Sequence, residues 1–136
     1  MTTKNMAYDH PAYQAVLAVP SGNLVGSGGT GTKMAAFTAM QVKAVQIATT
    51  VLSTSADVIS VVKVTGVGGT NTTTSTTAYG TMGSGAYIGN MTPTLAANQV
   101  SLQQGDVFYA QKGTDATGTF VGMIELAILP LSNVTS

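Results

Sequence analysis

The sequence predicts an all-β fold, a sandwich or barrel of about six to eight strands, on three observations. Apolar and polar residues alternate over short stretches, and β-branched residues crowd those stretches. Gly, Thr, Asn, Asp and Pro punctuate them at short intervals. The length of 136 residues and the 44% apolar content suit one domain with a packed core.

The elements follow in chain order. Residues 1–12 are mostly polar, contain His10-Pro11 and read as an N-terminal arm, with the single β-domain spanning 13–136. Tyr13, Ala15, Leu17 and Val19 alternate with Gln14, Val16 and Ala18, which predicts a strand ending at Pro20. Residues 22–32 (GNLVGSGGTGT) read as a flexible glycine-rich loop. In 33–52 a helical stripe of Met34, Phe37, Met40, Ala44 and Ile47 competes with alternation. The β-branched content favours a strand, with Met40, Val42 and Ala44 on one face and Val45 and Ile47 on the other. A face switch of that kind is what a β-bulge produces.

Residues 56–65 predict a strand with Ile59 and Val61 on one side and Val58, Val62 and Val64 on the other. The run 66–85 carries seven threonines between Thr70 and Thr81 and is too polar for core. A loop with a short embedded strand is expected there. Residues 86–88 resume a strand, broken at Met91-Thr92-Pro93. Residues 98–102 and 107–111 predict strands around the turn Gln104-Gly105-Asp106, and 112–118 (KGTDATG) a second turn. Residues 119–129 (TFVGMIELAIL) are apolar at both alternating sets of positions, which predicts a central strand covered on both sides.

Charge is the compositional anomaly. Only 7% of residues are charged, against roughly 25% in an ordinary soluble domain. Five lysines, five acids and no arginine leave the net charge near zero. Little self-repulsion then keeps molecules apart, and a hydroxyl- and amide-rich surface is buried against a neighbour at less desolvation cost. Both favour association. Five scattered lysines make no phosphate-neutralising stripe, so nucleic acid is not an expected partner. No apolar run approaches the roughly 20 residues of a spanning helix, and no membrane partner is expected. With no cysteine, disulfides and thiolate metal sites are excluded. The first residues lack the apolar core of a secretion signal, so cytoplasmic synthesis is expected. The sequons at Asn71, Asn90 and Asn133 then carry little weight.

Candidate chemistry is sparse. Gly26-Ser27-Gly28-Gly29-Thr30-Gly31-Thr32-Lys33 satisfies G-x-G-x-x-G and approaches a P-loop. Thr32 nevertheless separates Lys33 from the last glycine, Met34 follows where a hydroxyl is needed, and the first acid after the loop is Asp57. His10, the single histidine, sits beside Asp9 in the arm, and no G-x-S-x-G surrounds any serine. Asp106 and Asp115 flank one strand and offer carboxylates for Ca²⁺, but without a D-x-D-x-D cluster each is expected to cap its own turn. Glu125 interrupts the long C-terminal strand. If that strand is central, Glu125 is either at a rim or buried in a structural ion pair, whose expected partners are Lys43 and Lys63, in the middle of the other two long strands. A glycosidase would need a second facing acid, and none is designated. No cofactor and no enzymatic activity are expected.

The C-terminal third carries a family pattern. Val100-Ser101-Leu102-Gln103-Gln104-Gly105-Asp106-Val107-Phe108-Tyr109, then Thr114-Asp115-Ala116-Thr117-Gly118-Thr119, then 121–130 (VGMIELAILP), resembles the end of small head-decoration (cement) proteins of tailed bacteriophages. Residues 37–49 followed by 58–66 extend the likeness to about 90 residues. The resemblance implies a jelly-roll-like antiparallel β-sandwich with an N-terminal arm. It implies a homotrimer seated on the capsid surface of the virion, where subunits of the major capsid protein meet. In that setting Tyr8 and His10 of the arm, with Tyr13 just after it, would contact the capsid or a neighbouring protomer. A tail or fibre-base protein would share the composition. A carbohydrate-binding module would instead expose Tyr8, Tyr13, Tyr79 or Tyr87 for stacking, although the chain has no Trp.

Overall fold

The computed structural model describes residues 15–67, 70–93, 95 and 98–129. The arm with Tyr8 and His10 lies outside them, as do Tyr13 and Pro130. Ten strands follow one another: β1 (Val16–Pro20), β2 (Leu24–Val25), β3 (Met34–Ala35), β4 (Met40–Val51), β5 (Asp57–Val67), β6 (Thr70–Met82), β7 (Ile88–Met91), β8 (Ser101–Leu102), β9 (Val107–Lys112) and β10 (Thr119–Ile128). No helix occurs among the described residues.

All pairings between strands are antiparallel, in two sheets ordered β1-β10-β4-β7 and β3-β9-β5-β6. The short β2 and β8 extend the first sheet against β10 and β4. With those two set aside, the remaining strands run first-eighth-third-sixth and second-seventh-fourth-fifth. This is the double Greek key of a jelly roll. The sheets stay separate, so the fold is a β-sandwich and not a closed barrel.

Period-2 alternation builds the core. Leu17 and Val19 of β1 pack against it while Val16 and Ala18 face out. Ile59 and Val61 of β5, Phe108 and Ala110 of β9, and Phe120, Ile124 and Leu126 of β10 fill the space between the sheets. On β4 the expected bulge is present. Glu125 pairs with Ala44 and Leu126 with Val42, so Lys43 is the extra residue. The bulge does not send Val45 and Ile47 to the opposite face. It returns them to the core face already occupied by Met40 and Val42, and all four are buried.

Three expectations are corrected. The Thr-rich run is not a loop with a short strand: β6 is the longest strand, 13 residues, paired with β5 along its length. β-branched threonine suits a half-exposed pleated edge without any need for core. Second, β10 is central in its sheet but covered on one side only, with Met123 39% exposed on the other. Third, residues 22–32 pack along β9. The Gly28 N–H donates to Gly113, that of Gly31 to Ala110, and Gly29 accepts from Lys112. A Cβ at Gly31 would run into the Ser21 carbonyl, so close backbone approach accounts for that glycine.

Candidate interaction surface

Eight charged side chains fall among the described residues, and the fold engages most of them. Lys33 and Glu125 are exposed, and the others are buried or half-buried. Asp106 is 4% exposed and accepts the Gln103 N–H at 2.8 Å, closing its own turn. Lys43 donates to Gln99 Oε1 at 3.3 Å, and Lys63 reaches across the sandwich to the Ser101 carbonyl at 3.0 Å. Neither lysine meets Glu125. Alternation with the buried Ile124 and Leu126 sets Glu125 on the open face of β10, beside Ala44 and Ala18, so the expected ion pair does not form.

Asp115 clamps two loops at one end of the sandwich. Its carboxylate accepts the Thr117 N–H and hydroxyl at 2.9 and 2.7 Å and the Ser55 N–H and hydroxyl, both at 3.0 Å. The Thr54 N–H donates to the Thr117 hydroxyl, and Ser84 donates to the Thr54 carbonyl, which ties in the loop at 83–87. The Thr117 donors, then those of Ser55, hold the Asp115 carboxyl well below its ordinary 3.8. A depressed folded-state pKa gives a contribution present above the ordinary value and lost as pH falls through the lower one. Asp115→Ala is therefore expected to speed hydrogen exchange at Ser55 and Thr117 at neutral pH. The difference from the parent should shrink below pH about 4, as amide exchange followed by NMR would show.

The ion pair that does form joins two other residues, Lys112 and Asp57. Lys112 Nζ lies 3.3 Å from Asp57 Oδ2, with the two side chains 0% and 3% exposed. Asp57 continues the inward set of Ile59 and Val61, and Lys112 that of Phe108 and Ala110. The same alternation that buries those apolar residues buries the two charges. Lys112 also donates to the Asp115 carbonyl, and its ammonium sits 5.7 Å from the Phe120 ring centroid. Asp57 Oδ2 has no hydrogen bond besides this ionic contact, which makes the lysine its whole compensation.

Tyr79 was a candidate sugar-stacking residue, and its position removes it from that role: it is 5% exposed. Ile59 pairs with Gly80 and Ser60 with Ala78, so Tyr79 is the extra residue of a bulge on β6. Its side chain crosses the core to the other sheet. The hydroxyl donates to the Val42 carbonyl at 2.9 Å and accepts the Val100 N–H at 3.0 Å. The Val42 N–H itself donates to the Val100 carbonyl at 2.8 Å, so the phenol closes the other half of the Val42–Val100 pairing. Burial pushes the Tyr79 phenol above its ordinary 10.0, with the Val100 hydrogen bond working in the opposite sense. Tyr87, by contrast, is 67% exposed.

No group of three or more His, Cys, Asp or Glu that could hold a metal ion occurs among the described residues. Asp106 and Asp115 stand at opposite ends of β9, each spent on hydrogen bonds from nearby loops. The Gly-rich loop directs three of its N–H groups at protein carbonyls, those of Gly26, Ala110 and Gly113, so it offers no phosphate cradle.

What remains is the outer face of the β1-β10-β4-β7 sheet. Ala18, Glu125 and Ala44 lie in register across it, and the next row holds Pro20, Met123, Gln46 and Asn90. A shallow depression of about 440 Å³ is lined there by Val16, Ala18, Ala44, Met123 and Glu125, among others. Val16 at one edge and Ile88 at the other are more than 60% exposed. The face combines small and apolar residues with the amides Gln46 and Asn90, and Glu125 is its charge. No protein-family model matches the chain, and no curated protein matches it.

Proposed function

We propose that this chain is a virion structural protein: a decoration (cement) protein that stabilises a phage head by bridging subunits of the major capsid protein. The observation that carries the reading is the scarcity of exposed charge among the described residues. Six of the eight described charged side chains are buried or half-buried, and all six are engaged in hydrogen bonds or an ion pair within the domain. The surface left over is hydroxyl, amide and apolar. Such a surface is expensive to keep monodisperse and cheap to bury.

The open face of the first sheet supplies a place for that burial. β10 has the apolar pattern of a strand covered on both sides, yet one side is open in the isolated chain. A docked subunit covering Val16, Met123 and Ile88 would complete it. The mechanism is mechanical: each copy links neighbours, and the many repeated contacts together resist outward pressure on the shell. A homotrimer at the sites where capsid subunits meet is the arrangement the family likeness suggests.

The test is co-sedimentation with expanded, undecorated phage heads. The protein is expected to pellet with them to saturation. Met123→Lys, which puts a charge on the open face without entering the core, is expected to weaken binding about tenfold or more. Failure of the parent protein to bind such heads would sink the reading.

A further inference from the structure

The two sheets have four edges, and three are guarded. β3 is two residues long, β7 is four, and β1 is five and ends in Pro20. β6 is different. It lies at the end of its sheet, and among the described residues it has a strand neighbour on one side only, β5. Its 13 residues include no Lys, Arg, Asp, Glu or Pro, the residues that ordinarily blunt an edge.

Bulges fall at Thr72 and Tyr79, and the six residues between them, 73–78, pair regularly with β5. They expose a regular backbone edge roughly 20 Å long. Thr74, Ser75, Thr76 and Ala78 are exposed along it. The nearest charge on β5 is Lys63, opposite Ser75, and its ammonium is tied to the Ser101 carbonyl on the other sheet, away from this edge.

We infer that β6 is a self-association edge, and that its occupant is the β6 strand of a second copy of this chain, added antiparallel. The stretch is self-complementary. Paired antiparallel on itself about Ser75 it sets Thr74 opposite Thr76 and Ser75 opposite Ser75, pairs of small hydroxyl residues that favour cross-strand contact. The partner strand takes up the free N–H and C=O groups and joins two four-stranded sheets into one. Nothing along the strand repels its copy. This contact is isologous and closes at two copies, so it is distinct from any contact that closes a trimer, and it stands independently of the capsid reading.

The experiment is sedimentation of the full chain over a range of concentrations, with Thr74→Lys/Thr76→Lys as the comparison. Both positions are exposed, so the variant is expected to keep the parent's circular dichroism and melting midpoint. The parent is expected to pass from one to two copies, or from one closed oligomer to pairs of it, as concentration rises. In the variant that step should weaken at least about tenfold, since like charges then face each other across the strand pair. Amide exchange in 73–78 should slow with concentration in the parent only. A parent that never doubles, or a variant that doubles equally well, overturns the inference. Head binding that fails while doubling persists would sink the capsid reading alone.

Discussion

Lys112→Met is expected to destabilise the fold by about 3–5 kcal/mol, because it leaves Asp57 buried without its compensating charge. Both side chains are essentially excluded from water, and the aspartate's Oδ2 has no other partner. The methionine keeps most of the aliphatic packing against Phe120, so the loss is electrostatic and not a cavity. Replacing both residues, as in Asp57→Leu/Lys112→Met, is expected to recover most of the stability, since an apolar pair has no charge to desolvate. Urea unfolding of the two variants and the parent checks this. A single variant as stable as the parent would show that the pair is not buried as described.

Tyr79→Phe is expected to cost about 2–4 kcal/mol. Removing one hydroxyl strands two buried backbone groups, the Val42 carbonyl and the Val100 N–H, each worth about 1–3 kcal/mol when left unsatisfied. The same residue predicts a pH dependence. Its folded-state pKa lies above the ordinary value, so its contribution is complete below pH about 10 and declines as pH rises through the folded-state value. Thermal melts from pH 8 to 12 should show a steeper alkaline decline for the parent than for Tyr79→Phe. Parallel declines would mean that the phenol is not the bridge between the sheets.

The sequence made the strands legible where alternation was strong. Ile59 and Val61, the turn at Asp106 and the long β10 all stand where their patterns put them. Legibility failed where a residue's chemistry and its position disagree. The threonines of β6 read as loop because polarity was taken to exclude regular structure, whereas an edge strand needs β-branching and a paired backbone more than burial. Asp57 and Lys112 went unseen for the opposite reason. Extending the inward sets by one step, from Ile59 back to Asp57 and from Ala110 on to Lys112, places both charges inside, but charges at strand ends are ordinarily assigned to the rim. Tyr79 reads as a stacking group only under the carbohydrate-binding alternative, and nothing local in the sequence marks the bulge that turns it inward. Glu125 was paired with Lys43 and Lys63 on the premise that β10 is covered on both sides. Its outer side is open, so Glu125 is solvated and needs no lysine.

These corrections bear on the proposed function in one direction. Asp57 and Lys112, two of the few charges in the composition, are consumed inside the sandwich. The exterior is thus poorer in charge than composition alone implied, and contacts made through it draw little on Coulombic attraction. The measurement that tests this most directly is co-sedimentation with undecorated heads at about 0.1 M and about 1 M salt, where the screening length falls from roughly 10 to 3 Å. Binding at both concentrations with nearly the same affinity is the expected result. Binding that collapses at high salt would mean that charge carries the contact, and would contradict the account.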